Sequence, residues 1–238
     1  MESARAAHWT EMSAAREAVI ASIRRALGVS GAEAPRRAAV EDRLARAPSG
    51  VIPKRAQVSG EERLALFKRM AEEALATVSV VPDAPSVPAE AARYLRDQNL
   101  PASLRMGEDA RLASMPWQET SLEVVKGPSA GSDLNALSHA FGAAAETGTL
   151  VLTSGPDNPT TLNFLPDNHI VVVAACDLAG SYEEMFEKLR ATYGEGTMPR
   201  TLNLITGPSR SADIEKTLIL GAHGPRKLHI IVVEDASK

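Results

Sequence analysis

Two short segments near the C-terminus collect side chains that can hold an anion or move a proton. Gly207-Pro208-Ser209-Arg210-Ser211-Ala212-Asp213 groups two hydroxyls, a guanidinium and a carboxylate, and His223-Gly224-Pro225-Arg226 adds an imidazole and a second guanidinium. The planar fork of an arginine matches carboxylate and phosphate geometry. Histidine is the side chain that gives and takes a proton near neutral pH. A third segment, Glu146-Thr147-Gly148-Thr149, follows three alanines. A carboxylate among such small apolar neighbours loses water, a setting suited to a nucleophile or general base.

Each feature also has a purely structural reading. Ser209 or Ser211 can cap a helix, Asp213 can complement its dipole, and Arg210 can pair with a carboxylate. His223 can bond a loop carbonyl, and Glu146 can accept N–H groups of its own turn. Cys176, at the end of an apolar run, reads as a small buried hydrophobe. Spacing alone shows no catalytic triad, phosphate loop, metal box or dinucleotide fingerprint.

The elements that must position these residues are read from periodicity. Leu202–Thr206 reads as a buried strand, Ala212–Leu220 as an apolar-periodic helix, and Leu228–Val233 as a strand. The two segments would then flank one helix, with backbone N–H groups at its start facing an anion. Upstream, Thr77–Val81, Ala102–Met106, Leu122–Val125, Leu150–Thr153 and His169–Ala174 read as strands. Helices alternate with them at Val87–Gln98 and Glu108–Met115, and Leu162–Pro166 reads as a short turn. Ser59-x-x-Glu62 and Ser181-x-x-Glu184 are capping-box patterns opening helices, the second stopped at Gly194. Gly131–Ala145 has no clear period. The alternation implies an α/β fold with a mostly parallel sheet flanked by helices. Residues 59–238 form that domain. Residues 1–58 hold an amphipathic, arginine-bearing helix over Ser13–Leu27, suited to docking on its own domain, a partner or a membrane surface. A linker over 29–58 follows, with a short helix at Glu41–Arg46.

Composition narrows the function. A chain of 238 residues with 44% hydrophobic and 24% charged residues is an ordinary globular protein. Its net charge of −4 gives no basic field for nucleic acid. It contains no apolar run of membrane-spanning length, and its start lacks the order of a signal peptide, so the cytoplasm is the expected location. The single cysteine cannot supply the thiolates of an iron–sulfur cluster, and the histidines lack zinc spacing. No metal or other cofactor is expected in this chain.

Four stretches taken together, Ala145–Leu150, Leu165–Val173, Thr206–Glu215 and Gly221–Arg226, resemble the LUD-domain family. Ser211 stands where that family more often has threonine, and the hydroxyl is kept. The resemblance implies a fold like that of the ribose-phosphate isomerase and CoA-transferase group. It also implies a role in oxidising L-lactate to pyruvate, as one component of a three-protein system whose sister proteins carry the iron–sulfur motifs. On this reading the chain is a non-redox subunit that binds a small carboxylate or other anion. Its candidate ligand-binding residues are Thr147, Gly148, Thr149, Gly207, Ser209, Arg210, Ser211, Asp213, Gly224 and Arg226. The alternative is an independent CoA-transferase-like or sugar-phosphate-isomerase-like enzyme, with Glu146 and His223 as the catalytic candidates.

Overall fold

The computed structural model describes residues 2–194, 196–214 and 217–235, and side chains over 14–194, 196–211 and 221–234. The chain divides into two compact units, 1–50 and 51–238. The first holds helices α1 (Glu2–Leu27) and α2 (Ala34–Arg46). The latter is longer than the helix expected at Glu41–Arg46. Pro35 lies in its first turn, where a missing N–H costs nothing, and the carboxylate of Glu33 accepts the N–H groups of Ser30 and Gly31 ahead of it.

The second unit begins with α3 (Gly60–Glu73), β1 (Thr77–Asp83), α4 (Val87–Asp97), β2 (Ser103–Met106), α5 (Ala110–Ala113) and β3 (Glu123–Lys126). The irregular stretch 131–145 resolves into β4 (Asn135–His139) and β5 (Gly142–Ala144), the expected strand follows as β6 (Thr149–Thr153), and α6 (Thr160–Phe164) stands where a turn was expected. Then come β7 (Asn168–Ala174), β8 (Leu178–Ala179), α7 (Tyr182–Tyr193), β9 (Leu202–Ile205), β10 (Arg210–Ile214), β11 (Thr217–Leu220) and β12 (Lys227–Asp235).

Six strands form one sheet in the order β1-β12-β7-β4-β2-β3, and every neighbouring pair is parallel. Both faces of its central strands are buried, which is why they read as unbroken β-branched runs rather than alternating ones. Val171 and Val173 of β7, with Leu228, Ile230 and Val232 of β12, face a core that includes Phe67 and Ala71 of α3. Their neighbours Ile170, Val172, Ile231 and Val233 face the opposite core, with Val87, Ala91 and Leu95 of α4 and Leu112 of α5. Successive side chains of a strand point to opposite faces, so these short runs supply two cores at once.

A second sheet, in the order β8-β5-β6-β9, lies over the α3 side. Its β6 is antiparallel to both β5 and β9, and α7 packs on it through Met185 and Leu189. The stretch Leu202–Ile205 is therefore not a strand of the parallel sheet. It is an edge strand of this smaller one, and Leu204 is 46% exposed rather than buried. Ser59 takes the N-cap position of α3 but its side chain makes no capping bond. At α7 the hydroxyl of Ser181 does accept the N–H of Glu184. The Glu184 carboxylate reaches back to the N–H of Gly180, one residue beyond the N-cap donor that a capping box would bond. Cys176 is exposed, because a 3-10 turn over Ala175–Asp177 lifts it out of line with β7.

Two histidines lie inside these cores. His169 is 1% exposed, with Nε2 3.0 Å from the Ser138 hydroxyl, and burial pushes its pKa down to about 3. His229 stacks on Tyr94 at 4.0 Å and sits 2.8 Å from the Thr77 hydroxyl; burial lowers its pKa to about 4. An unfolded histidine titrates near 6.5. Below that value the unfolded chain binds more protons than the folded one, so stability falls as the pH drops through it and is level above it. The urea midpoint is expected to be lower at about pH 5 than at about pH 7.5, with the gap narrowed in His169→Gln. Equal midpoints at the two pH values would contradict this account.

Candidate functional site

The turn at Glu146 joins β5 to β6 and meets the start of α7. Glu146 is 6% exposed, and its Oε1 accepts the N–H of Tyr182, the first residue of α7, at 2.8 Å. A carboxylate at this end of a helix satisfies a free donor and complements the dipole. The next residues of the turn are held by hydroxyls. Thr149, with no exposed surface, has its Oγ1 2.7 Å from Tyr182 Oη, 2.7 Å from Thr147 Oγ1 and 2.6 Å from Thr206 Oγ1.

Two glycines let this network close against α3. Gly148 and Gly207 both have left-handed backbones, with φ of 66° and 70°. A Cβ on Gly148 would lie 2.3 Å from the Ala71 nitrogen, and one on Gly207 would lie 2.0 Å from the Ala74 carbonyl oxygen. The backbone therefore passes the end of α3 at a separation no side chain permits.

Beyond Gly207 a cleft of about 370 Å³ opens between the segments 207–210 and 223–225, within the size range of small-molecule sites. Gly207, Pro208, Ser209 and Arg210 form one wall and His223, Gly224 and Pro225 the other, with Asn163, Phe164 and Thr206 also lining it. The walls are tied by their backbones. The Ser209 N–H donates to the Pro225 carbonyl at 2.8 Å, the Gly221 N–H to the Ser209 carbonyl at 3.0 Å, and the His223 N–H to the Ser209 hydroxyl at 3.3 Å. Arg210 and His223 are exposed, and Arg210 forms no ion pair among the described residues. Asn163 is buried, and its Nδ2 has no hydrogen-bond partner among the described residues. A cation at the mouth and an unpaired donor beneath are suited to a small anion.

The expected helix over Ala212–Leu220 is not present. β10 and β11 pair as an antiparallel hairpin, Arg210 opposite Leu220 and Ser211 opposite Ile219. The segment is too short for periodicity to separate helix from strand, and Thr217-Leu218-Ile219-Leu220 carries the β-branched character of a strand. Left-handed glycines at 207 and 221 bracket the hairpin. The proposed helix N-terminus for the anion is therefore replaced by loop backbone and the Arg210 side chain. Among the sequence candidates, Gly207, Ser209, Arg210, His223 and Gly224 line the cleft. Glu146, Thr147, Gly148 and Thr149 support it from the neighbouring turn through Thr206. Arg226 turns to Asp167, with its Nε 3.6 Å from Oδ1 and its N–H donating to the Asp167 carbonyl. Ser211 lies in β10 outside the lining, and the side chain of Asp213 lies outside the described residues. Asn163, Phe164, Thr206 and Tyr182 were not anticipated, since they reach the site only through tertiary packing. Among the described residues no group of three or more His, Cys, Asp or Glu is placed to hold a metal ion.

The model of the LUD domain matches residues 64–233. The chain belongs to the LUD domain family. Similar relatives of this LUD chain include lactate utilization protein C of Shouchella clausii (strain KSM-K16), 38% identical over 91 residues, which are 38% of this chain and 40% of that protein. The protein of the same name from Bacillus subtilis (strain 168) is 39% identical over 92 residues, 38% of each chain. The matched stretch thus spans well under half of these relatives. Among solved structures, a DUF162 family protein from Deinococcus radiodurans is similar at 26% identity and a TM-score of 0.55, covering 74% of this chain and 99% of that one.

Two substitutions test how the LUD site is held. Gly207→Ala is expected to destabilise by about 1–3 kcal/mol through overpacking against Ala74, added to left-handed strain. A urea midpoint unchanged from wild type would refute the close approach. Glu146→Gln keeps an oxygen for the Tyr182 N–H and should unfold close to wild type, whereas Glu146→Ala should lose about 1 kcal/mol, as caps do. Equal stability of all three proteins would show that the bond contributes nothing.

Proposed function

We propose that this LUD chain is a non-redox component of an L-lactate utilization system, working beside iron–sulfur partner proteins and engaging a small carboxylate or other anion at the cleft. The observation that carries the reading is the LUD domain itself, in which this chain is 38–39% identical over its matched stretch to proteins named lactate utilization protein C. The division of labour fits the composition. One cysteine cannot bind a cluster that needs about four thiolates, so electron transfer falls to other chains. Within the cleft, Arg210 is the cation for the anion, Ser209 and the Asn163 amide supply hydrogen bonds, and His223 stands at the opposite wall. The bond from the Tyr182 N–H to Glu146 supports an anchoring role for that carboxylate rather than a nucleophilic one.

The test is growth on L-lactate as sole carbon source after replacing the chromosomal copy with Arg210→Ala. Slower growth at an unchanged protein level is expected, with normal growth on other carbon sources. Unchanged growth on L-lactate would reject the role of the cleft. The partner half is tested separately by affinity purification from lactate-grown cells. Co-elution of cysteine-rich proteins with iron–sulfur absorbance is expected, and a colourless solitary protein after mild crosslinking would reject it.

A further inference from the structure

Ligands of open parallel sheets bind beyond the carboxyl ends of the strands, and the cleft described above lies elsewhere, beside the second sheet. At the carboxyl ends of β4, β7 and β12 there is a separate cavity of about 130 Å³. It is close to the roughly 150 Å³ of a cavity that accepts benzene, so a ligand of about six non-hydrogen atoms fits. His139, the last residue of β4, and Arg111 of α5 face it, with Ser114 beside them. Ala84, Met115, Ala174 and Val233 make the remaining surface apolar.

Both charged and titrating groups are held in defined states. Asp109, 4% exposed, accepts Nε of Arg111 at 3.1 Å and Nη2 at 2.6 Å. Burial opposes ionisation of Asp109, but the hydrogen bonds and charge of Arg111 outweigh it and hold the carboxyl below its usual range. This clamp uses one edge of the guanidinium and leaves the Nη1–Nη2 edge for a second carboxylate. His139 is 8% exposed, and its Nδ1 lies 2.8 Å from the Ala140 carbonyl oxygen. A carbonyl only accepts, so Nδ1 carries the proton and Nε2 is left as an acceptor, without a hydrogen-bond partner among the described residues. Burial, followed by the charge of Arg111, lowers the pKa of the ring and keeps it neutral.

We propose that this cavity binds a short 2-hydroxy carboxylate, its carboxylate on the open edge of Arg111, its hydroxyl donating to Nε2 of His139, and its alkyl group against Ala174 and Val233. The site uses none of the residues of the Arg210 cleft, so the inference stands or falls apart from that reading.

The experiment titrates the full-length, isotope-labelled protein with sodium L-lactate and with sodium propionate, which lacks the hydroxyl, following backbone amide shifts. L-Lactate is expected to shift the amides of Arg111 and Ala140, with millimolar affinity as befits so small a ligand, and about tenfold more tightly than propionate. Arg111→Lys keeps a charge for Asp109 but removes the second edge of the fork, and should weaken both acids about tenfold. His139→Phe should abolish the preference for L-lactate while propionate binding persists. Arg210→Ala should leave every one of these shifts unchanged. Shifts confined to Ser209 and His223, no shifts at all, or identical affinities in wild type and Arg111→Lys would each overturn the proposal. Arg111 is half exposed, so its variant remains informative even where His139→Phe does not fold.

Discussion

Alternate side chains of β7 and β12 are buried on both faces of the parallel sheet, and this double burial decides where polar chemistry can sit. A strand with no wet face cannot present a charged group along its length without losing its solvation. The two histidines that do lie on these strands are accordingly held neutral. Exposed polar function is displaced to places where strands end. One is the carboxyl edge of the parallel sheet, where Arg111 and His139 meet. The other is the margin of the smaller sheet, where β9 runs out at Thr206 and the chain enters the turn at Gly207.

The smaller sheet converts this displacement into a defined geometry. Its turns approach α3 backbone to backbone at Gly148 and Gly207, and the hydroxyls of Thr147, Thr149, Thr206 and Tyr182 close the remaining gaps. Glu146 fixes the start of α7 to the same turn. The turn at 146–149 thus acts as a strut between α3, the start of α7 and Thr206. The cleft that the strut steadies is lined by the later segments at 207–210 and 223–225.

Legibility in the sequence followed the range of the forces involved. Ile170-Val171-Val172-Val173 was readable as a buried strand because β-branched runs of that length have few other uses. The start and stop of α7 were readable because Ser181 and Gly194 act on their own backbone. The hairpin over 210–220 was misread because a short apolar segment fits either period, and its pairing partner lies within the same segment. Leu202–Thr206 was read as a buried strand, but it forms the open edge of the smaller sheet, because a strand's neighbours and not its own apolar residues decide whether it is covered. Cys176 was taken as buried because the turn that exposes it follows directly on an apolar strand. His139 and Arg111 went unmarked because only the sheet order β7-β4-β2 brings their segments together. The pairing of the 207 and 223 segments was legible, since both flank one compact stretch of chain. The supporting contacts from Asn163 and Tyr182 were not.

The exposed position of Cys176 gives the molecule a single chemical address. It is the sole cysteine and stands in the short turn between β7 and β8. Its neighbour Asp177 is paired with Lys188 of α7. A maleimide dye coupled to the native chain would therefore mark one known point, with no engineered background required. From there, distances to a partner could be measured by energy transfer while both proposed sites remain unmodified.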